Sequence, residues 1–141
     1  MKTGNEIEGE FYTAVKTTTL AAQVSGDVYR DDFRPRDSVK EDIIVRLTAV
    51  TSGQVQSGVV TLLIFTPDIQ ARGKSGIKKR NSQRLAELET FAAQAIDEIA
   101  EALDGYNNVM TETGIRSYKD DNEQHYVSVR ISFEYYNEQI Y

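Results

Sequence analysis

The chain has no cysteine, which removes disulfides, thiolate catalysis and Cys-ligated zinc or iron–sulfur sites together. It has one histidine, His125, so a zinc site or a nucleophile–histidine triad has no second His or Cys to draw on. His125 reads as a partly buried structural residue at the start of a strand. No apolar run approaches the roughly 20 residues a membrane helix needs, and the first residues lack the apolar stretch of a signal peptide. The expectation is a soluble protein suited to a reducing cytoplasm, with no membrane partner. Phosphate-cradling loops are missing too, because the glycines never form GxGxxG or GxxxxGK[ST]. Gly73-Lys74-Ser75 matches only the tail of the second pattern, and Asp68 stands where its first glycine belongs.

What is present in quantity is charge, unevenly spread. The net charge is −6, yet residues 71–84 hold Arg72, Lys74, Lys78, Lys79, Arg80 and Arg84 without one acid. Beyond Arg84 there are 12 acids against three bases, a net −9. An acidic body argues against wrapping nucleic acid with the whole surface, while one basic segment suits a local contact with phosphate or with an acidic neighbour. A solvated loop whose charges aid solubility is the other reading of the same residues. The adjacent acids Asp31-Asp32, Glu41-Asp42 and Asp120-Asp121 read as turn residues, since Mg²⁺ needs a substrate phosphate or a converging cluster. No catalytic, metal-ligating or cofactor-binding residue is nominated, and the chain is not expected to be an enzyme.

At 141 residues a single domain, 1–141, is expected, large enough for a core without a metal or disulfide staple. The pattern centres on Asp42–Ile69. Ile43–Val50 and Val59–Thr66 are rich in β-branched residues and joined by the polar TSGQVQSG, in which Gly53 and Gly58 serve the turn. The second strand is apolar at both parities: Val59, Leu63 and Phe65 on one face, Val60, Leu62 and Ile64 on the other. Such a strand should be central and covered on both faces, by helices or by another subunit, and Pro67 should end its ladder. A first helix is expected from Asn5 to about Leu20, striped by Ile7, Phe11, Ala14 or Val15 and Thr18, with Thr17-Thr18-Thr19 weakening its end. Val28, Tyr29 and Phe33 suggest a short, charged edge strand closed by Pro35. Ser82–Asp104 is the clearest helix, with Asn81 or Ser82 as N-cap and Gly105 at its close. Val109–Tyr118 and Gln124–Tyr136 make a closing hairpin turning at Asp120–Glu123. The tail carries Ile140 and Tyr141, apolar groups unusual in a loose end. The fold class is α+β, a mostly antiparallel sheet in the order helix-strand-strand-strand-helix-strand-strand with the helices packed on it.

The run Phe33-Arg34-Pro35-Arg36-Asp37-Ser38 into Lys40-Glu41-Asp42-Ile43-Ile44-Val45, then Gly53–Val60 and Ile64-Phe65-Thr66-Pro67-Asp68-Ile69, resembles proteins of phages and prophages of Bacteroides-type bacteria. With the long helix and the closing strand pair, the element order resembles the tail-terminator (tail-completion) proteins of long-tailed bacteriophages over nearly the whole chain. That resemblance implies a structural virion protein in the tail or neck, assembled in the host cytoplasm, with no cofactor. It implies a homo-oligomeric ring, typically a hexamer, that caps the tail-tube protein and meets the head connector. Tyr29, Arg30, Arg34 and Arg36 then become candidates for a subunit interface. Arg72, Lys74, Lys78, Lys79 and Arg80 become candidates for contact with the tube, the connector or passing DNA. Another neck, head–tail joining or adaptor protein of the same particle, or a small binding module unrelated to phage, fits the residues as well.

Overall fold

The strongest periodicities of the sequence become the two long helices of the computed structural model, which describes residues 1–73 and 76–137. Helix α1, Gly4–Lys16, starts in a reciprocal cap: the Glu6 N–H donates to the Thr3 hydroxyl and the Thr3 N–H donates to the Glu6 carboxylate. It buries Ile7, Phe11, Ala14 and Val15. The expected single helix to about Leu20 ends earlier, at the threonine run. The hydroxyls of Thr17 and Thr18 donate to the carbonyls of Ala14 and Val15, competing with the helical ladder. Thr18 then caps a second short helix, α2, Thr19–Gln23, which buries Leu20. Helix α3, Ser82–Ala102, is capped by Asn81, whose side chain accepts the Arg84 N–H at 3.2 Å. Gly105 follows in the left-handed region, φ +81°.

Among the described residues the strands are, in chain order, β1 (Val28–Arg30), β2 (Ile43–Val50), β3 (Val55–Pro67), β4 (Ile69–Gln70), β5 (Lys78–Lys79), β6 (Tyr106–Thr111), β7 (Arg116–Asp120) and β8 (Gln124–Tyr136). Six of them form one mixed sheet, β1-β2-β3-β8-β6, with β7 pairing the other half of β8. Strand β1 runs parallel to β2 and the remaining neighbours are antiparallel. The class is α+β, and β3 lies in the middle.

Three boundaries differ from the sequence expectation. First, β3 begins at Val55 and not Val59, so the turn shrinks to residues 51–54. Gln56 is 2% exposed because its side chain bonds the Lys2 N–H and the carbonyls of Lys2 and Thr51. Gly58 is accordingly a strand residue. A Cβ there would stand 2.2 Å from the Ala49 carbonyl oxygen and 2.8 Å from Phe133, so only glycine lets β2 bulge past it. Second, the expected strand Val109–Tyr118 is two strands, β6 and β7, broken at residues 112–115. Asn108, at φ +53°, adds a register shift within β6. Third, the basic stretch is half of a ribbon: β4, just before it, pairs with β5 inside it as a separate two-stranded sheet. Phe33 sits in a 3-10 turn, Asp31–Phe33, and is 76% exposed, so it is no part of the edge strand.

One face of the sheet carries the core. Ile43, Val45, Val60, Leu62, Ile64, Val127, Val129, Ile131 and Phe133 pack with the stripes of α1 and α3. Phe11, Tyr106 and Phe133 cluster at ring distances of 5.3–5.6 Å. The opposite face of β3 departs from the expectation of two-sided cover. Val59, Thr61 and Leu63 remain half-exposed there, and only Phe65 is closed off, by Tyr126 and by the guanidinium of Arg34 at 4.1 Å.

Candidate functional site

The residues expected at contacts fall into two regions, beside β1–β2 and on the ribbon. Beside β1, two of the three candidate arginines, Arg30 and Arg34, are engaged with acids of their own chain. Arg30 Nε donates to Glu8 at 3.1 Å, and its Nη2 reaches the Asn5 carbonyl at 3.0 Å. Arg34, with its side chain 8% exposed, donates through Nε to Asp42 at 2.9 Å and through Nη2 to Gln124 at 3.1 Å. Tyr29 is half-buried on β1, and Arg36 is exposed. The structure thus brings Tyr29 and Arg30 together on the edge strand and folds Arg34 inward, away from the surface that Arg36 occupies.

The inward turn of Arg34 belongs to a polar corner that the sequence did not announce. Asp42, 1% exposed, also accepts the Asp27 N–H at 3.0 Å and the Ser38 hydroxyl. Burial alone would push the Asp42 carboxyl up, but Ser38, the Asp27 N–H and Arg34 together hold it below the ordinary carboxylate range. Gly26 makes room for this, since a Cβ would lie 1.9 Å from Asp42 Oδ1. Next to it, Glu41 takes both Arg84 Nε at 2.7 Å and Nη2 at 2.9 Å. Burial works against the Glu41 charge, and Arg84 and Thr66 outweigh it, so its carboxyl is also lowered. The Glu41 carboxylate correspondingly raises the Arg84 guanidinium above its ordinary value. His125 Nδ1 meets Asp68 Oδ1 at 2.7 Å, with the two side chains 14% and 7% exposed. A histidine and an aspartate 57 residues apart have no local signal by which sequence reading could have paired them.

The ribbon springs from the Pro67 end of β3 and returns at Asn81, the cap of α3. Ile69 pairs Lys79, Gln70 pairs Lys78, and the Ala71 N–H donates to the Ile77 carbonyl at 2.7 Å. Gly73 and Gly76 supply left-handed turns at φ +72° and +79°. Arg72, Lys78, Lys79 and Arg80 are all exposed, and Arg80 Nε donates to Ser82 at 3.2 Å. Lys74, expected to act with them, lies outside the described residues, as do Ile140 and Tyr141. The ribbon also exposes Ile69 (40%) and Ile77 (52%), apolar groups hidden from sequence reading by the basic residues around them.

Two further surfaces are present. The open face of the sheet carries Val59, Leu63, Tyr126 and Tyr118 among Arg46, Arg116, Thr61, Ser128 and Arg130. On the other side of the molecule, a groove of about 640 Å³ runs between α1 and the end of α3. Its floor is Ala14, Leu103 and Tyr106, and its rim carries Glu6, Glu10 and Asp104. The Tyr106 hydroxyl donates to Glu10 at 2.7 Å, and burial together with that carboxylate pushes the phenol well up. Among the described residues, no three His, Asp or Glu side chains converge as a metal site would require. No buried side-chain polar atom among them lacks a hydrogen-bond partner.

No protein-family model matches this chain, and no curated protein does either. A solved structure, of a protein named only by a serial identifier, is similar over 96% of this chain and 92% of that one, at 15% identity and a TM-score of 0.42. A likeness that distant carries no argument.

Proposed function

We propose that this chain is a structural virion protein of the tail-terminator kind, forming a ring that caps the tail tube and joins it to the head connector. The observation that carries the reading is the unfinished state of the central strand. β3 has Val60, Leu62 and Ile64 fully buried on one side and Val59 and Leu63 half-exposed on the other. Apolar residues at both parities of a central strand call for cover on both sides, and a second protein surface supplies what the chain itself does not. The mixed polar and apolar make-up of that open face suits a protein contact.

The ionisable groups support docking over turnover. Asp42 is committed to Arg34, Glu41 to Arg84 and Asp68 to His125, so each is partnered within the fold. The exposed basic ribbon supplies a contact within that assembly, with an acidic surface of a neighbouring copy, the tube or the connector, or with DNA. The ring is expected to be hexameric, and the protein to be found at the head–tail junction of the particle. Replacing Lys78, Lys79 and Arg80 by Glu should abolish joining of heads to tails in an assembly reaction while the circular dichroism spectrum stays that of the parent. Joining at the parental rate would remove the ribbon from this role.

A further inference from the structure

The groove beside α1 and the ribbon before α3 differ in charge and agree in their apolar content. The ribbon presents Arg72, Lys78 and Lys79 around the exposed Ile69 and Ile77. The groove presents Glu6, Glu10 and Asp104 around Ala14, Ala102 and Leu103. Glu10 is shared with Lys2 and Tyr106; Glu6, which also accepts the Thr3 N–H, and Asp104 are exposed. The last turn of α3 has no basic residue, so its carbonyl end adds to the negative potential of the groove.

Position decides what such a pair of surfaces can do. The ribbon enters α3 at Asn81 and the groove lies at Ala102–Asp104, at the far end of the same 21-residue helix. At about 1.5 Å per residue, the helix holds them roughly 30 Å apart, so one chain cannot close its own ribbon into its own groove. A complementary pair at opposite ends of a rigid body is the layout of a head-to-tail contact, which generates a ring when the rotation closes.

Resting on the ring reading above, we infer that the basic ribbon of one copy docks in the acidic groove of the next, with Lys78 and Lys79 facing Glu6 and Asp104 and the isoleucines covering the apolar floor. This makes a second copy of the chain the ribbon's occupant, and the test is one of pairing between two crippled variants. The ribbon variant is Lys78→Glu with Lys79→Glu; the groove variant is Thr13→Lys with Asp104→Lys, all four being exposed positions. Like charges facing each other oppose docking, so self-association of each variant should fall at least about a hundredfold. Mixed one to one, the intact ribbon of the groove variant meets the intact groove of the ribbon variant, and light scattering should read a dimer that grows no further. Should the groove variant fold poorly by circular dichroism, Thr13→Lys alone takes its place. Parental oligomers from the ribbon variant would overturn this contact and leave the ring reading standing. Two variants that stay monomeric in the mixture, beside an oligomeric parent, would also overturn it. A parent that is monomeric at millimolar concentration would contradict the contact and the ring together.

Discussion

Arg34 is the residue on which the corner of the fold turns. Its guanidinium is held between the Asp42 carboxylate and the Phe65 ring, and both partners are nearly closed to solvent. Removing one member of such a pair leaves an uncompensated buried charge, so Arg34→Ala should cost about 3–5 kcal/mol in urea unfolding. The acids of this corner also set a pH dependence. Asp42 and Glu41 both ionise below their ordinary range in the folded chain. The unfolded chain therefore takes up their protons first as the pH drops. The stability they contribute is complete above the ordinary carboxyl values, near about 4, and is lost as the pH falls through and below them. Unfolding followed from pH 7 to pH 3 should reveal that loss, and Arg34→Ala should reduce the Asp42 share of it while the Glu41 share, held by Arg84, remains. A parental slope in the variant would separate Arg34 from the lowering of Asp42.

At the scale of elements, periodicity was the reliable guide and long-range pairing was out of its reach. The stripe Leu85, Leu88, Ala92, Ala95, Ile96, Ile99 is buried as its spacing foretold, because repetition every three or four residues has one structural meaning in an amphipathic helix. Leu88, fully buried, makes the test: Leu88→Asp should cost about 2–5 kcal/mol for the emptied site and more for the unpaired carboxylate. Loss of less than about 1 kcal/mol would mean that α3 does not hold the core. β8 was equally legible, from Gln124 to Tyr136, by its strict alternation. Where the reading slipped, a residue served a purpose its type did not announce. Thr18 ended one helix and capped another. Gly58, a turn residue by type, accommodates a neighbouring carbonyl. Gln56, polar in type, is buried by bonds to a terminus that sequence distance hid. The ribbon is legible in the sequence as charge and not as structure, since two-residue strands leave no period to detect.

For the whole molecule the open questions concern what lies against it. The helices finish one face of a six-stranded sheet, and the other face leaves Val59 and Leu63 only partly buried. The candidate interface was the part of the site least legible in the sequence. Arg30 and Arg34 satisfy acids within the chain, while the acidic groove is assembled from α1 and the distant end of α3. Composition could forecast neither, because both depend on which surfaces folding brings together. The proposed assembly of copies rests on three surfaces, the open sheet face, the basic ribbon at one end of α3 and the acidic groove at the other. Negative-stain electron microscopy of the purified protein, at concentrations where light scattering reads its mass, tests this most directly. Closed rings of uniform diameter, with a mass that is a fixed multiple of the single chain, are the expected result; a single-chain mass at millimolar concentration, with no rings in the field, would contradict it.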